Sequence, residues 1–524
     1  MLKMVDGTGI IGVDMVCPLG GTVSPPQPPN YDKVEVEGVG SLMLPNSLKA
    51  PLERLELIGN SVQGENPAPD NPQEIKSAGR KSKNLFNIAD LRVGQVQKDG
   101  TINEKQIYYR TVILDVPQDG KYRITFNSND DYTMLYFVEA YANGVYSNPY
   151  LRVHAGSPNY YITLAKGKNI LSFSTHTASG KIAFTTDHNI MIAAESETLD
   201  YEPYGYLLDV KVTGKNLLDM ADIQNENGKI DSDFSKAKSI KPFKVIKDRK
   251  YLLISKGAMI VDVRYSSIYF GEDDLAYGQD SSRKLTTGTG YSCFIGTETR
   301  KILVAKETCT ITKTMMHGTR TEKDAYEVEE LGLFEIINDN PNIDYKPYTE
   351  QSMQIALNEP LRGIGEYKDT ITKDGVMRKI KRVVLDGSED EEWRLDRKLG
   401  NHINFALVIK GAITVNTGIR TMMDKFKYLR AVWNNNLPGQ DMFGAKLRIN
   451  MPKTLATDLQ TFKTWLSQNP LTVDYVLAEP VTEPLPESVQ AQLSSLHSEN
   501  GTTHVFVDSG EVPCGIKLTY RKEK

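Results

Sequence analysis

KNLFNIAD at residues 83–90 returns as KNLLDMAD at residues 215–222. The two copies open segments that stay in step. VPQDGKYRITF (116–126) corresponds to VIKDRKYLLIS (245–255), aligning Tyr122 with Tyr251, and LYF (135–137) corresponds to IYF (268–270). One segment closes on DYEPYG (200–205) and the other on DYKPYT (344–349). Matches in one order over such a span indicate a whole domain written twice. The unit is far longer than the roughly 20–50 residues of a solenoid repeat.

Inside each unit the pattern is β. Short stretches rich in Val, Ile, Tyr, Phe and Thr alternate with Gly, Asn and Asp turns. QKDGTIN (97–103) and NENGKID (225–231) carry Asp-Gly and Asn-Gly hairpin signals, whose central residues must tolerate positive φ. KYRITF, NYYITLA and NILSFS read as strands, and no long amphipathic helix pattern occurs between 83 and 348. The expected units are two-sheet sandwiches at 81–209 and 210–350. Ahead of them lie an N-terminal arm with a Pro/Gly-rich linker (1–39; CPLGGTVSPPQPP at 17–29) and a β adaptor (40–80) whose loop is stiffened by Pro67, Pro69 and Pro72. A β-hairpin connector about Asp374-Gly375 follows at 351–393, then a C-terminal α+β domain at 394–524. That domain holds two helical patterns. One places Leu455, Leu459, Phe462 and Leu466 on a single face and stops at Asn469-Pro470. The other starts at Pro486 and aligns Val489, Leu493 and Leu496. The expected fold is mainly β, tandem jelly-roll-like β-sandwich domains plus a C-terminal α+β domain with two short helices.

Composition sets the function classes aside one by one. The chain has 524 residues, 25% charged and 40% apolar, with net charge −5 spread along its length and no basic footprint for nucleic acid. The one basic cluster, MRKIKR at 377–382, is followed by SEDEE at 388–392 and reads as a solvated strand with a charged flank. Cys17, Cys293, Cys309 and Cys514 are scattered, which predicts neither a disulfide framework nor a zinc site and suits assembly in a reducing cytosol. The N-terminal apolar run is short and broken by Asp14, so no signal peptide is expected, and no run of about 20 apolar residues would span a membrane.

Motif matches fail on context. GTGIIG (Gly7, Gly9, Gly12) has no room for a preceding strand, and CPLGG blocks the helix that a dinucleotide site needs. With Gly228 at the obligatory glycine of a calcium loop, Ile223 and Phe234 fall on ligand positions, which excludes an EF-hand; an irregular calcium site at Asp231 and Asp233 stays open. No nucleophile elbow, HExxH or P-loop occurs, His154, His176 and His188 lack ligand spacing, and Glu272, Asp273 and Asp274 are an uninformative acidic string. No catalytic residue, cofactor or metal is expected, and the chain is read as a non-enzyme.

The richest constellation is YANGVYSNPYLRVHAGSPNYY (141–161). Sugars stack their C–H face on aromatic rings while amides and guanidinium groups bond their hydroxyls. Tyr141, Tyr146, Tyr150, Arg152, His154 and Tyr160 are therefore the candidate glycan-binding residues. The competing reading makes these tyrosines strand-edge and core filler.

LELIGNSVQGENPAPDNPQEIKSAG (55–79) resembles a stretch near the start of minor structural proteins of tailed phages and prophages of Gram-positive bacteria. The two octapeptides and the DYEPYG and DYKPYT signatures resemble the opening and closing of their carbohydrate-binding-module-like domains. LRGIGEYKDTITKDG (361–375), VVLDGSEDEEW (383–393) and TWLSQNPLTVDYVLAEPVTEPLPESVQAQLSSL (464–496) resemble the segments that follow. The resemblance covers about residues 40–524 and implies a virion structural protein of the tail tip, baseplate or side fibre. Such a protein is made in the host cytoplasm and needs no signal peptide. Its implied partners are other phage tail proteins, reached through the N-terminal arm, and host cell-wall carbohydrate; a homotrimer is the implied assembly. Two sandwich units in one chain depart from the usual single copy, which leaves open whether both bind ligand. The alternatives are a spacer that binds no sugar and a glycan-degrading enzyme with its carboxylates in 394–524.

Overall fold

A computed structural model of the chain describes residues 5–6, 9–10, 31–47, 50–52, 54–126, 134–156, 160–177, 180–182, 189–197, 200–224, 230–231, 234–258, 266–276, 278–287, 293–294, 298–318, 325–336, 339–414, 418–432, 437–499 and 501–523. The linker at 17–29, Asp233 and most of GTGIIG lie outside them. The fold is mainly β.

A central sandwich, here the hub, gathers strands from across the chain. One sheet runs in the order Glu350–Leu357, Tyr206–Thr213, Gly501–Asp508, Ser41–Ser47, with Arg80–Lys81 also on Tyr206–Thr213. The facing sheet runs Tyr31–Val39, Gly515–Glu523, Leu55–Ile58, Thr370–Thr372, Gly375–Leu385, Leu471–Glu483, Thr421–Met423. Period-two alternation turns Leu208, Val210 and Val212 inward and leaves Asp209 and Lys211 outside. Met353, Ile355, Val505, Val507, Ile516, Leu518, Leu55 and Leu57 complete that core. The helix Glu487–Ser495 closes it with Leu493 and, just past its end, Leu496. The strands at 40–80 and in the last two dozen residues therefore share one sandwich, and the consecutive blocks read from the sequence do not describe how they pair.

The two repeated units are looped out of this hub. The first leaves after Arg80–Lys81 and returns at Tyr206, which pairs with Lys81; the second leaves after Thr213 and returns at Glu350, which pairs with Thr213. Each unit has eight strand positions in two sheets ordered 1-8-3-6 and 2-7-4-5, the jelly-roll arrangement. In the first unit positions two to eight are Tyr109–Val116, Gly120–Thr125, Met134–Ala142, Leu151–His154, Tyr161–Leu164, Gly167–Thr177 and Met191–Ala194. In the second they are Phe234–Val245, Lys250–Ala258, Ser266–Gly271, Cys293–Phe294, Glu298–Ala305, Cys309–Gly318 and Ala325–Glu335.

Position one is the octapeptide, and it is barely a strand. Leu85 N–H donates to Ile192 O (2.8 Å) and Leu217 N–H to Leu333 O (2.8 Å), each next to the last strand of its unit. The chain then turns into a 3₁₀ turn, Ile88–Asp90 or Met220–Asp222, capped by the side chain of Asn87 or Asp219. Phe86, Leu217 and Leu218 are buried, but Ile88 is exposed and takes no part in the packing. The shared Asn is the clasp. Asn84 Nδ2 donates to Ile190 O and Glu202 O, and Asn216 Nδ2 to Lys346 O. Glu202 and Lys346 occupy the same place in DYEPYG and DYKPYT, so each octapeptide ties its unit's opening to its close.

The C-terminal helix Leu459–Gln468 is capped by Asp458 in a reciprocal capping box with Thr461. Its Phe462 stacks on Phe405 at 4.0 Å over the sheet Arg394–Leu399, His402–Val408, Lys446–Pro452, Gly439–Phe443. Leu455 precedes the helix and is exposed, unlike the face read from periodicity. The basic strand is solvated only in part, with Lys381 exposed. Arg378 is buried against Asp369 and Glu483, and Arg382 grips Asp474 with two bonds of 2.7 and 2.8 Å. Carboxylates distant in sequence recruit those cations inward.

Because Thr213 and Glu350 are direct cross-strand partners, residues 214–349 can be replaced by a two-residue hairpin turn. The shortened chain is expected to keep a cooperatively folded hub and first unit, measured by thermal unfolding and protease resistance. Loss of all cooperative unfolding would show that the second unit is integral to the hub.

Candidate functional site

The site lies on the outer face of the 2-7-4-5 sheet of the first unit. On Met134–Ala142, Leu135 and Phe137 point into the core, so Met134 and Tyr136 face outward. Cross-strand register sets Arg152 and Ser174 on either side of Tyr136, and His154 and His176 on either side of Met134. The Arg152 guanidinium lies 5.2 Å from the Tyr136 ring centroid. His176 meets the same ring edge-on at 5.7 Å, with its Nε2 2.9 Å from Ser174 Oγ. Tyr150, 62% exposed, lies 6.4 Å from Tyr136 on the remaining side. Its φ of 45° is left-handed, a strained setting for a bulky residue that recurs at ligand sites.

A bulge between Phe137 and Glu139 places Glu139 opposite Ser172 on this face. Beyond it, Tyr141 pairs with Tyr146 across a two-residue turn at Asn143-Gly144, whose φ values of 50° and 81° are those of a type I′ hairpin. Burial, with Glu139 beside it, pushes the Tyr146 phenol above its ordinary pKa. The hairpin predicted at QKDGTIN forms the rim. Val96 N–H donates to Ser172 Oγ (2.7 Å), and Gly100 sits so close to the Tyr141 ring that a Cβ there would lie 2.6 Å from Cε1.

Of the six candidate residues, Tyr141, Tyr146, Tyr150, Arg152 and His154 thus share one face or its rim. Tyr160 packs on the sandwich core, with its ring 6.0 Å from that of His154. Sequence reading missed Tyr136, His176 and Glu139. Tyr136 was hidden inside LYF, where both neighbours are core residues. Asn143-Gly144 was the signal available, because that hairpin fixes which tyrosines face each other.

The second unit carries the same position in Tyr269, but closed. The segment after Gly271 folds back over it: Gly271 bridges Arg283, and Lys284 N–H donates to Phe270 O. Leu275, Met315 and Ala237 pack around Tyr269, and the Arg283 guanidinium lies 3.9 Å from its ring centroid. Tyr269 is only 7% exposed.

A second hollow, of about 540 Å³, separates the second unit from the hub and is lined by Val39, Met43, Lys211, Phe243, Arg249 and His504 among others. His504 Nε2 is buried there without a hydrogen-bond partner, and burial holds its pKa down to about 4. Among the described residues, no group of three or more His, Cys, Asp or Glu side chains is placed to hold a metal, and no helix is long and apolar enough to cross a membrane.

No family model and no curated protein matches the chain. Among solved structures it is similar to particles of infectious bursal disease virus. The Gx strain structure aligns at TM-score 0.13 and 7% identity over 95% of this chain and 84% of that one. The virus-derived T=1 particle aligns at TM-score 0.14 and 8% identity over 95% and 81%. Scores this low do not describe a shared fold.

Proposed function

We propose that this chain is a non-catalytic structural protein of a phage tail whose first jelly roll binds a surface glycan. The tail placement follows from the sequence motifs in their order. The glycan reading rests on one observation: Tyr136, half-buried on the outer sheet face, is flanked by His176 and by the exposed Arg152 and Tyr150. A ring and a guanidinium exposed side by side, Tyr150 and Arg152, match the stacking and hydroxyl bonding that sugar recognition uses. The hub fits a scaffold role, since it holds both units by adjacent strand ends. The enzyme alternative finds little support in 394–524, where the buried carboxylates Asp441 and Asp474 are paired with Arg448 and Arg382. Homotrimeric assembly and docking to other tail proteins belong to the same proposal.

For the second unit the covered Tyr269 favours the spacer reading. Tyr136→Ala in the full chain is expected to lower retention on isolated host cell walls, and adsorption of particles carrying it, by about tenfold, the scale of one lost aromatic stacking contact. Tyr269→Ala is expected to lower thermal stability and leave retention unchanged. Equal retention by wild type and Tyr136→Ala would sink the glycan reading, and particles in which a label on this chain never appears at the tail would sink the placement.

A further inference from the structure

The charges around Tyr136 narrow the ligand. Arg152 and His154 are both exposed on the strand Leu151–His154, on the face that also presents His176. No carboxylate is paired with Arg152 among the described residues; its guanidinium is spread over the Tyr136 ring. Glu139, an acid of this face, sits beyond the bulge, beside Tyr146. Adjacent strands lie about 4.8 Å apart and alternate residues along a strand about 6.8 Å. The three cationic or protonatable groups thus fall within a patch about the size of one or two sugar rings, with the aromatic surface in its middle. The closed second unit offers an internal comparison. There a protein segment supplies what covers the tyrosine, and Arg283 lies over Tyr269. In the first unit the arginine over the tyrosine comes from the sheet itself, and Arg152 is exposed.

We propose that this face takes an anionic chain: a sugar or polyol polymer carrying phosphodiester or carboxylate groups, its ring or backbone on Tyr136 and Tyr150 and its charge on Arg152. This rests on the glycan reading above and adds the sign of the ligand. Guanidinium groups bind phosphate and carboxylate by paired, charge-assisted hydrogen bonds, which a neutral sugar cannot match.

The test measures retention of the full chain on three immobilised polymers: poly(glycerol phosphate), polygalacturonate and neutral dextran. The expected result is retention on one or both anionic polymers, weakened by salt and lowered about tenfold or more by Arg152→Gln, with weaker binding to dextran that is insensitive to salt and that Arg152→Gln lowers by a smaller factor. Preference between the two anionic polymers identifies phosphodiester or carboxylate as the natural group. Dextran bound as tightly as both anionic polymers, with Arg152→Gln silent on all three and Tyr136→Ala disruptive, overturns the anionic ligand and leaves the sugar face standing. Silence of both variants on every polymer overturns the two proposals together. Arg152 is solvent-exposed, so its replacement does not endanger the fold, and near-ultraviolet circular dichroism verifies this.

Discussion

Asn84→Ala is expected to lower the stability of the first jelly roll by about 3 kcal/mol or more. The side chain uses all four of its hydrogen-bonding positions. Its Nδ2 donates to Ile190 O (2.9 Å) and Glu202 O (3.0 Å), and its Oδ1 accepts from Phe86 N–H (2.9 Å) and Ile192 N–H (3.0 Å). Truncation strands two buried donors and two carbonyls, each costing about 1–3 kcal/mol where water cannot replace the lost partner. Asn216→Ala should act alike in the second unit, where the side chain serves Lys346 O, Leu218 N–H and Leu333 N–H. The effects should be local: each variant lowers the urea midpoint of its own unit, and the double variant is additive. Asn87→Ala is the contrast. It removes an exposed cap and should cost about 1 kcal/mol or less. If Asn84→Ala proves as mild as Asn87→Ala, the clasp is not what holds the unit shut.

Asp369→Ala is expected to destabilise the hub by about 3–5 kcal/mol. Asp369 is fully buried beside the hairpin that the sequence marked at Asp374-Gly375. The strand Gly375–Leu385 bulges between Arg378 and Ile380, which frees the N–H groups of Lys379 and Ile380 from the ladder. The Asp369 carboxylate accepts both, at 2.7 and 3.0 Å, together with Arg362 N–H at 3.0 Å, and lies 3.4 Å from Arg378 Nη1. Burial pushes its pKa up, while those donors and Arg378 oppose the rise. Alanine would leave the bulge unsatisfied and a buried guanidinium short of a partner. Asp369→Asn keeps the acceptor oxygen and should cost less. Denaturant unfolding followed by far-ultraviolet circular dichroism measures both; a loss below about 1 kcal/mol for Asp369→Ala would refute this role.

Several features were readable in the order of residues because the physics behind them is local. Alternating apolar residues and Asp-Gly turns act over a few positions, and the strands, the hairpins about Asp99-Gly100 and Asp374-Gly375 and the helix Leu459–Gln468 are present, while the Asn-Gly turn of NENGKID lies outside the described residues. The tandem units were readable because two copies betray each other: Tyr122 and Tyr251 aligned by sequence are both buried, each with its hydroxyl on the preceding loop. The aromatic face was half readable. A cluster of tyrosines is visible in composition, but the side of the sheet each ring takes depends on register and on a bulge at Phe137 and Glu139.

The sequence by itself determined a mainly β chain, two copies of one domain, and the residues that open and close each copy. Only the tertiary structure decided that the closing residues are clasped to the opening ones by Asn84 and Asn216. It alone revealed the hub, whose sheets join strands separated by hundreds of residues, and drew Arg378 and Arg382 inward onto Asp369 and Asp474. It alone separated Tyr136 from Tyr269, matched in motif but one half-buried beside exposed Tyr150 and Arg152 and the other buried under Leu275 and Arg283. The physical reason is the same in each case. Propensity and periodicity are properties of neighbours in the chain, whereas burial, ion pairing and the covering of a face belong to neighbours in space.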